Sequence, residues 1–214
     1  MTLAEYEKSY SEYLTRYYRV LLWDTEEHYR FHIEKLTECL SHNPENPFAL
    51  NTRGLAYIET GNGNSINDFY SSIRISEHPV PYTNLGDLFS SNNRQVEAVE
   101  CYSKAVALAP EEPTTYRLRT KPLIALGDIE SAISDYSKAI ELQPGNVYDL
   151  MYRGELYQRL GKISLAEEDR KAREDLEKIK RREGQDEEID QGKYDRSQTK
   201  SSIWKDIARI FWKK

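Results

Sequence analysis

The sequence has little that would suit a membrane or an active centre. Its longest unbroken apolar stretch is Ala105–Ala109, far short of the roughly 20 residues that span a bilayer, so no transmembrane helix is expected. The first ten residues, MTLAEYEKSY, lack the basic start and apolar segment of a secretory signal, which points to the cytoplasm. Two cysteines, Cys39 and Cys101, stand far apart, form no CxxC pair and sit in apolar-periodic segments. Both are expected to be buried reduced thiols, with no redox or zinc chemistry.

Catalytic signatures are missing as well. There is no Walker loop, no GxGxxG after a strand, no GxSxG elbow and no Cys/His set with zinc spacing. His28 and His32 lie one helical turn apart but have no third ligand, so they are expected to be ordinary surface or interface histidines. Gly61-Asn62-Gly63 is better explained as a flexible turn than as a phosphate cradle. Asp186, Glu187 and Glu188 belong to a solvated run, not an acid/base pair. The chain is expected to be no enzyme and to need no metal or cofactor.

Charge is unevenly spread over the 214 residues. The net charge is −6, yet residues 193–214 carry seven Lys or Arg against two Asp, leaving an acidic body with a basic tail. Such a body lacks the clustered Lys and Arg that hold a phosphate backbone, so nucleic acid is not expected as a partner.

Internal repetition decides the fold. Cys101-Tyr-Ser-Lys-Ala-Val-Ala-Leu-Ala-Pro110 and Asp135-Tyr-Ser-Lys-Ala-Ile-Glu-Leu-Gln-Pro144 share six of ten residues at an offset of 34. Ala98, Ala132 and Ala166 recur at the same offset, as do Gly127 and Gly161. Each unit reads as two helical segments broken by a turn such as Leu126-Gly127-Asp128 and closed by a proline turn such as Gln143-Pro144-Gly145-Asn146. Small residues at Gly54, Gly86, Gly154, Ala98 and Ala132 allow close helix approach, and Tyr57, Phe89, Tyr102, Tyr136 and Tyr157 fill the spaces between hairpins.

The unit resembles the tetratricopeptide repeat. Within 113–146 the pattern appears as Tyr116, Leu123, Gly127, Ala132, Tyr136, Ala139 and Pro144; within 79–112 it appears as Tyr82, Leu85, Gly86, Phe89, Ala98, Tyr102, Ala105 and Pro110. The stretch 147–180 keeps Leu150, Gly154, Tyr157, Gly161 and Ala166 but has Arg170 at the place of the second-helix aromatic, as a terminal repeat would. The stretch 47–78 keeps Leu50, Gly54, Tyr57, Gly61 and Phe69 with a loose turn. The resemblance implies an all-α, right-handed superhelical solenoid of antiparallel hairpins over 47–180. Pro122, inside a first helix, is expected to kink or shorten it.

Around this core, residues 1–46 read as a helical pair, its first member carrying Leu3, Tyr6, Tyr10, Tyr13, Tyr17 and Val20 on one face and its second spanning 25–41. Residues 181–201 read as a charged linker. Residues 202–214 form a basic amphipathic segment whose apolar side includes Trp204, Ile207, Phe211 and Trp212. This side could fold back on the repeats, pair with a second copy, dock on a partner or lie on a membrane surface.

For function, the resemblance implies that a protein partner, as an extended peptide or a helix, binds the concave side lined by first helices. The inward positions are Asn51 and Leu55; Asn84 and Asp87; Arg117 and Lys121; and Tyr148, Met151, Tyr152 and Glu155. Arg117 and Lys121, one turn apart, form a cationic spot for an acidic group, or a solvated basic face. The chaperone-tail clamp of co-chaperone repeats is incomplete: Asn84 matches one place, while Asn51, Leu55, Thr114 and Leu118 occupy the others. The leading expectation is a non-catalytic adaptor or scaffold. Its alternatives are an inhibitory or immunity-type protein that blocks a basic toxin or enzyme, and a membrane-associated assembly factor anchored by 202–214.

Overall fold

The computed structural model describes residues 26–189, and every regular element among them is a helix. The chain divides into two compact units, Met1–Leu108 and Ala109–Lys214. The first holds α1 (Glu26–His42), α2 (Pro47–Glu59), α3 (Ser65–Ile75), α4 (Pro79–Ser91) and α5 (Gln95–Leu108). The second holds α6 (Pro113–Ala125), α7 (Ile129–Leu142), α8 (Val147–Arg159) and α9 (Ile163–Ile189). The tyrosine-rich face at 3–20 and the terminal set Trp204, Ile207, Phe211 and Trp212 lie outside the described residues.

Helix starts follow from the residues at the turns. Pro47, Pro79 and Pro113 each begin a helix, where a missing N–H costs nothing. The residue before each of them caps it: Asn46 accepts from the Ala49 N–H, His78 from Val80 and Glu112 from Thr114. Asn146 does the same for Tyr148 at the head of α8. The first helices α2, α6 and α8 stop at Gly61, Gly127 and Gly161, all at positive φ, and Asn93 takes that left-handed role after α4.

Within each unit, the two helices of a hairpin pack α2 on α3, α4 on α5, α6 on α7 and α8 on α9. The closest approaches are at Gly54 and Gly86, where a Cβ would stand 2.7 Å and 2.6 Å from ring atoms of Phe69 and Tyr102. In the third hairpin Thr120 takes the glycine's place, its hydroxyl 2.7 Å from the Arg117 carbonyl oxygen and 3.1 Å from the Tyr136 hydroxyl. In the last, Gly154 faces only the Asp169 Cβ at 3.5 Å and the Ala166 carbonyl at 3.6 Å, because Arg170 has replaced the aromatic and turns outward to Glu167 and Glu174.

A second device recurs with the repeat. Arg53 pairs with Asp68, Arg119 with Asp135 and Arg153 with Asp169, each from the first helix of a hairpin to the second at 2.6–2.7 Å. Each arginine directly precedes the small residue of its helix, and each aspartate directly precedes the position of the second-helix aromatic. In the hairpin 79–112 the same two positions are Leu85 and Cys101, both buried. An apolar pair there replaces a charged one, an exchange that costs little when both partners change together.

Three expectations are corrected. Cys39 is exposed, not buried, because Leu36 and Leu40 are the residues of α1 that face Ala49, Leu50 and Ile75. Cys101 is buried, and burial, with Glu100 and Glu97 nearby, pushes its thiol up to about 11. At pH 8 a thiol reagent should therefore modify Cys39 alone in the native chain and both cysteines after unfolding; mass spectrometry of the alkylated protein reads the result. Pro122 does not shorten its helix, for α6 has the same thirteen residues as α2, α4 and α8. It lies in the last turn, so only the bond to the Leu118 carbonyl is forfeited, and Leu126 N–H still closes on the Pro122 carbonyl at 3.0 Å. Finally, α9 runs on to Ile189 and so takes in the first part of the expected linker 181–201.

Candidate functional site

All the residues expected to line a binding face stand on α2, α4, α6 and α8, the first helices of the four hairpins. In the first unit, α2 and α4 are joined by the Asn84 side-chain amide, which donates to Asn51 Oδ1 at 2.8 Å. Asn51 is wholly buried, so it ties helix to helix instead of lining an open face as expected. Leu55 is half-buried and Asp87 exposed. Asp87 accepts a 2.5 Å bond from the Tyr102 hydroxyl. Burial first, and then this carboxylate, hold the Tyr102 phenol far above the usual tyrosine range.

In the second unit, α6 and α8 both pack against α7 through short turns and therefore run in the same direction. Arg117 bridges them. Its Nε donates to both Asp149 carboxylate oxygens at 2.8 and 2.9 Å, and its Nη2 donates to Asp149 Oδ2 at 2.8 Å and Gln143 Oε1 at 2.7 Å. Asp149 is 1% exposed. This corrects the expected two-cation spot: Arg117 is committed within the fold, and the charge left on α6 is that of Lys121, which is exposed and makes no hydrogen bond or ion pair among the described residues.

Beside it, α8 presents aromatic surface. Tyr148 and Tyr152, one turn apart, are 63% and 43% exposed. The Tyr152 ring stacks on Tyr136 with centroids 5.9 Å apart. Met151 is half-buried and Glu155 exposed. Burial above all, with the charges of Asp149 and Glu155 nearby, pushes the Tyr136 phenol up. Exposed on α6 and α8 are thus the Lys121 cation, the Tyr148 and Tyr152 phenols and the Glu155 carboxylate. Among the described residues no three His, Cys, Asp or Glu come together to hold a metal, and no helix is long and apolar enough to cross a membrane.

The tetratricopeptide repeat model matches residues 81–112 and 123–146. Protein unc-45 homolog B of Xenopus tropicalis is 29% identical over 96 residues, which are 44% of this chain and 10% of that protein. The STIP1 homolog of Dictyostelium discoideum is 31% identical over 97 residues, 45% of this chain and 17% of that protein. The chain thus spans less than a fifth of either relative. In structure it is similar to MamA from Desulfovibrio magneticus RS-1, with a TM-score of 0.64 at 20% identity, covering 78% of this chain and 94% of that one. The all-α helical-hairpin expectation is confirmed by these matches.

Proposed function

We propose that the chain, whose residues 81–112 and 123–146 match the tetratricopeptide repeat model, is a non-catalytic protein-interaction adaptor that takes an extended segment of a partner protein on the α6–α8 face. The observation that carries this reading is the pair Tyr148 and Tyr152, large aromatic side chains left exposed on α8. Tyrosine gives wide contact area for little loss of side-chain freedom, which is why it is favoured where proteins meet. Lys121 on α6 and Glu155 on α8 are exposed and have no ion pair among the described residues. They would set the direction of a bound segment, Lys121 by attracting a carboxylate and Glu155 a cation.

The test is selection of a displayed library of random peptides on the intact chain, with the variant Lys121→Glu/Tyr152→Ala as the counter-selection. Isolated peptides should bind the intact chain and lose at least tenfold in affinity, about 1.4 kcal/mol, against the variant. Peptides that bind both proteins equally, or a selection that enriches nothing, would remove the reading.

A further inference from the structure

We propose that Asn62 is a modification site of the first unit: without an enzyme, its side-chain amide is converted through a cyclic imide to a mixture of aspartate and isoaspartate, by attack of the Gly63 backbone nitrogen. The chemistry needs no partner protein and is independent of the function proposed above.

Ring closure of this kind needs an asparagine whose next backbone N–H is uncrowded, free of hydrogen bonds and open to water. Of the asparagines in the chain, Asn62 alone is followed by glycine. The pair lies in the turn between α2 and α3, where Gly61, Asn62, Gly63 and Asn64 are all exposed. The Asn62 N–H closes on the Tyr57 carbonyl at 2.8 Å and anchors the turn to α2, whereas the Gly63 N–H makes no hydrogen bond among the described residues. A Cβ built on Gly63 would meet nothing within 4 Å. The electrophile is placed as well. Asn62 Oδ1 accepts from the Asn64 N–H at 3.0 Å, which folds the side-chain amide over the Gly63 peptide. The same donor meets the negative charge that builds on Oδ1 when nitrogen adds to Cγ.

The other asparagines are protected. Asn43 and Asn46 precede prolines, whose nitrogen has no proton to lose. Asn51, Asn67 and Asn84 lie inside helices, where the next N–H belongs to the ladder. Asn64 is followed by the buried Ser65. The N–H groups after Asn92 and Asn93 donate to the Ser90 and Phe89 carbonyls at 3.2 and 2.8 Å. Asn146 is the sharpest comparison. Its Oδ1 accepts from the Tyr148 N–H at 3.1 Å in the same way, but the residue between them is Val147, whose branched side chain crowds the nitrogen.

Solvent hydroxide takes the Gly63 N–H proton and the bond from nitrogen to Cγ forms. The bond from Cγ to Nδ2 breaks, and Nδ2 leaves as ammonia with a proton from water, which returns the hydroxide. Water then opens the imide: cleavage between nitrogen and Cγ gives aspartate, and cleavage between nitrogen and the main-chain carbonyl carbon gives isoaspartate. One water is taken up and one ammonia released, with no change of oxidation state. Either product adds a negative charge to the turn, and isoaspartate also inserts one carbon into the chain between α2 and α3.

Incubation of the intact chain at pH 8, with mass spectrometry of the tryptic peptide 54–74 measured against the zero-time digest, tests the site. Asn62 should gain about 1 Da in ordinary water and about 3 Da in heavy-oxygen water, with isoaspartate identified by electron-transfer fragmentation. Asn146 should convert at least about tenfold more slowly. Gly63→Val fits the open space at a residue that is not at positive φ. It should slow conversion of Asn62 by about tenfold or more and leave the helix circular dichroism unchanged. Conversion of Asn62 no faster than that of Asn146 overturns the proposal. So does equal conversion in Gly63→Val, which assigns the reaction to direct hydrolysis of the side chain, or conversion only in urea, which shows that the folded turn holds nitrogen and Cγ apart.

Discussion

Asp149→Ala is expected to destabilise the second unit by about 3–5 kcal/mol, the usual loss when one partner of a buried ion pair is removed. Three N–H···O contacts run from Arg117 to this carboxylate. Without it the guanidinium keeps only Gln143, in a site where water replaces the lost acceptor poorly. Arg117→Met/Asp149→Leu, which removes both charges and keeps the volume, should recover most of that loss. Urea unfolding followed by helix circular dichroism on the single and double variants checks both numbers. Equal destabilisation by the single and the double would show that the bridge is strong in its own right; a double variant that recovers most of the loss shows that the cost lies in the stranded charge.

This bridge also marks where sequence reasoning stopped. The hairpins were legible because their signals are local: the shared Tyr-Ser-Lys-Ala of 102–105 and 136–139, the prolines at 47, 79 and 113 and the glycines at 61, 127 and 161 all fix chain direction within a few residues. The pairs Arg53–Asp68, Arg119–Asp135 and Arg153–Asp169 were legible too, since each member holds a constant place beside the small residue or the aromatic of its repeat. Spacing alone does not distinguish such a pair from two charges on solvated faces, which is the commoner fate of Arg and Asp. Arg117–Asp149 is different. It joins the first helices of successive repeats across 32 residues, and which of several polar side chains meet there depends on the lateral offset between α6 and α8, a quantity set by how the hairpins pack on α7. Asn51 on α2, by contrast, is buried against Asn84 of α4, while Tyr148 on α8 is open. Helical spacing alone places both on the same kind of face.

The repeats further predict opposite signs for one substitution made at equivalent places. Gly86→Ala puts a Cβ at 2.6–2.8 Å from three ring atoms of Tyr102, nearer than real contacts allow. That ring has little room to yield, since Tyr102 is buried and its hydroxyl is anchored on Asp87 at 2.5 Å. Overpacking of this kind costs about 1–3 kcal/mol, and the better helix propensity of alanine returns at most about 1 kcal/mol. Gly154→Ala meets nothing nearer than 3.5 Å, so only the propensity gain remains, and stability should rise by about 0.5–1 kcal/mol. The sequence difference behind this reversal is Tyr102 against Arg170, the aromatic of one hairpin and the outward-turned arginine of another. Thermal unfolding of both variants gives the signs directly. A further variant, Gly86→Ala/Tyr102→Leu, tests the cause: if the ring is the obstacle, the alanine should cost much less in the leucine background than in the tyrosine one. An equal cost in both backgrounds would place the obstacle in the helix backbones, and the glycine would then be required by the approach of α4 to α5 and not by the side chain between them.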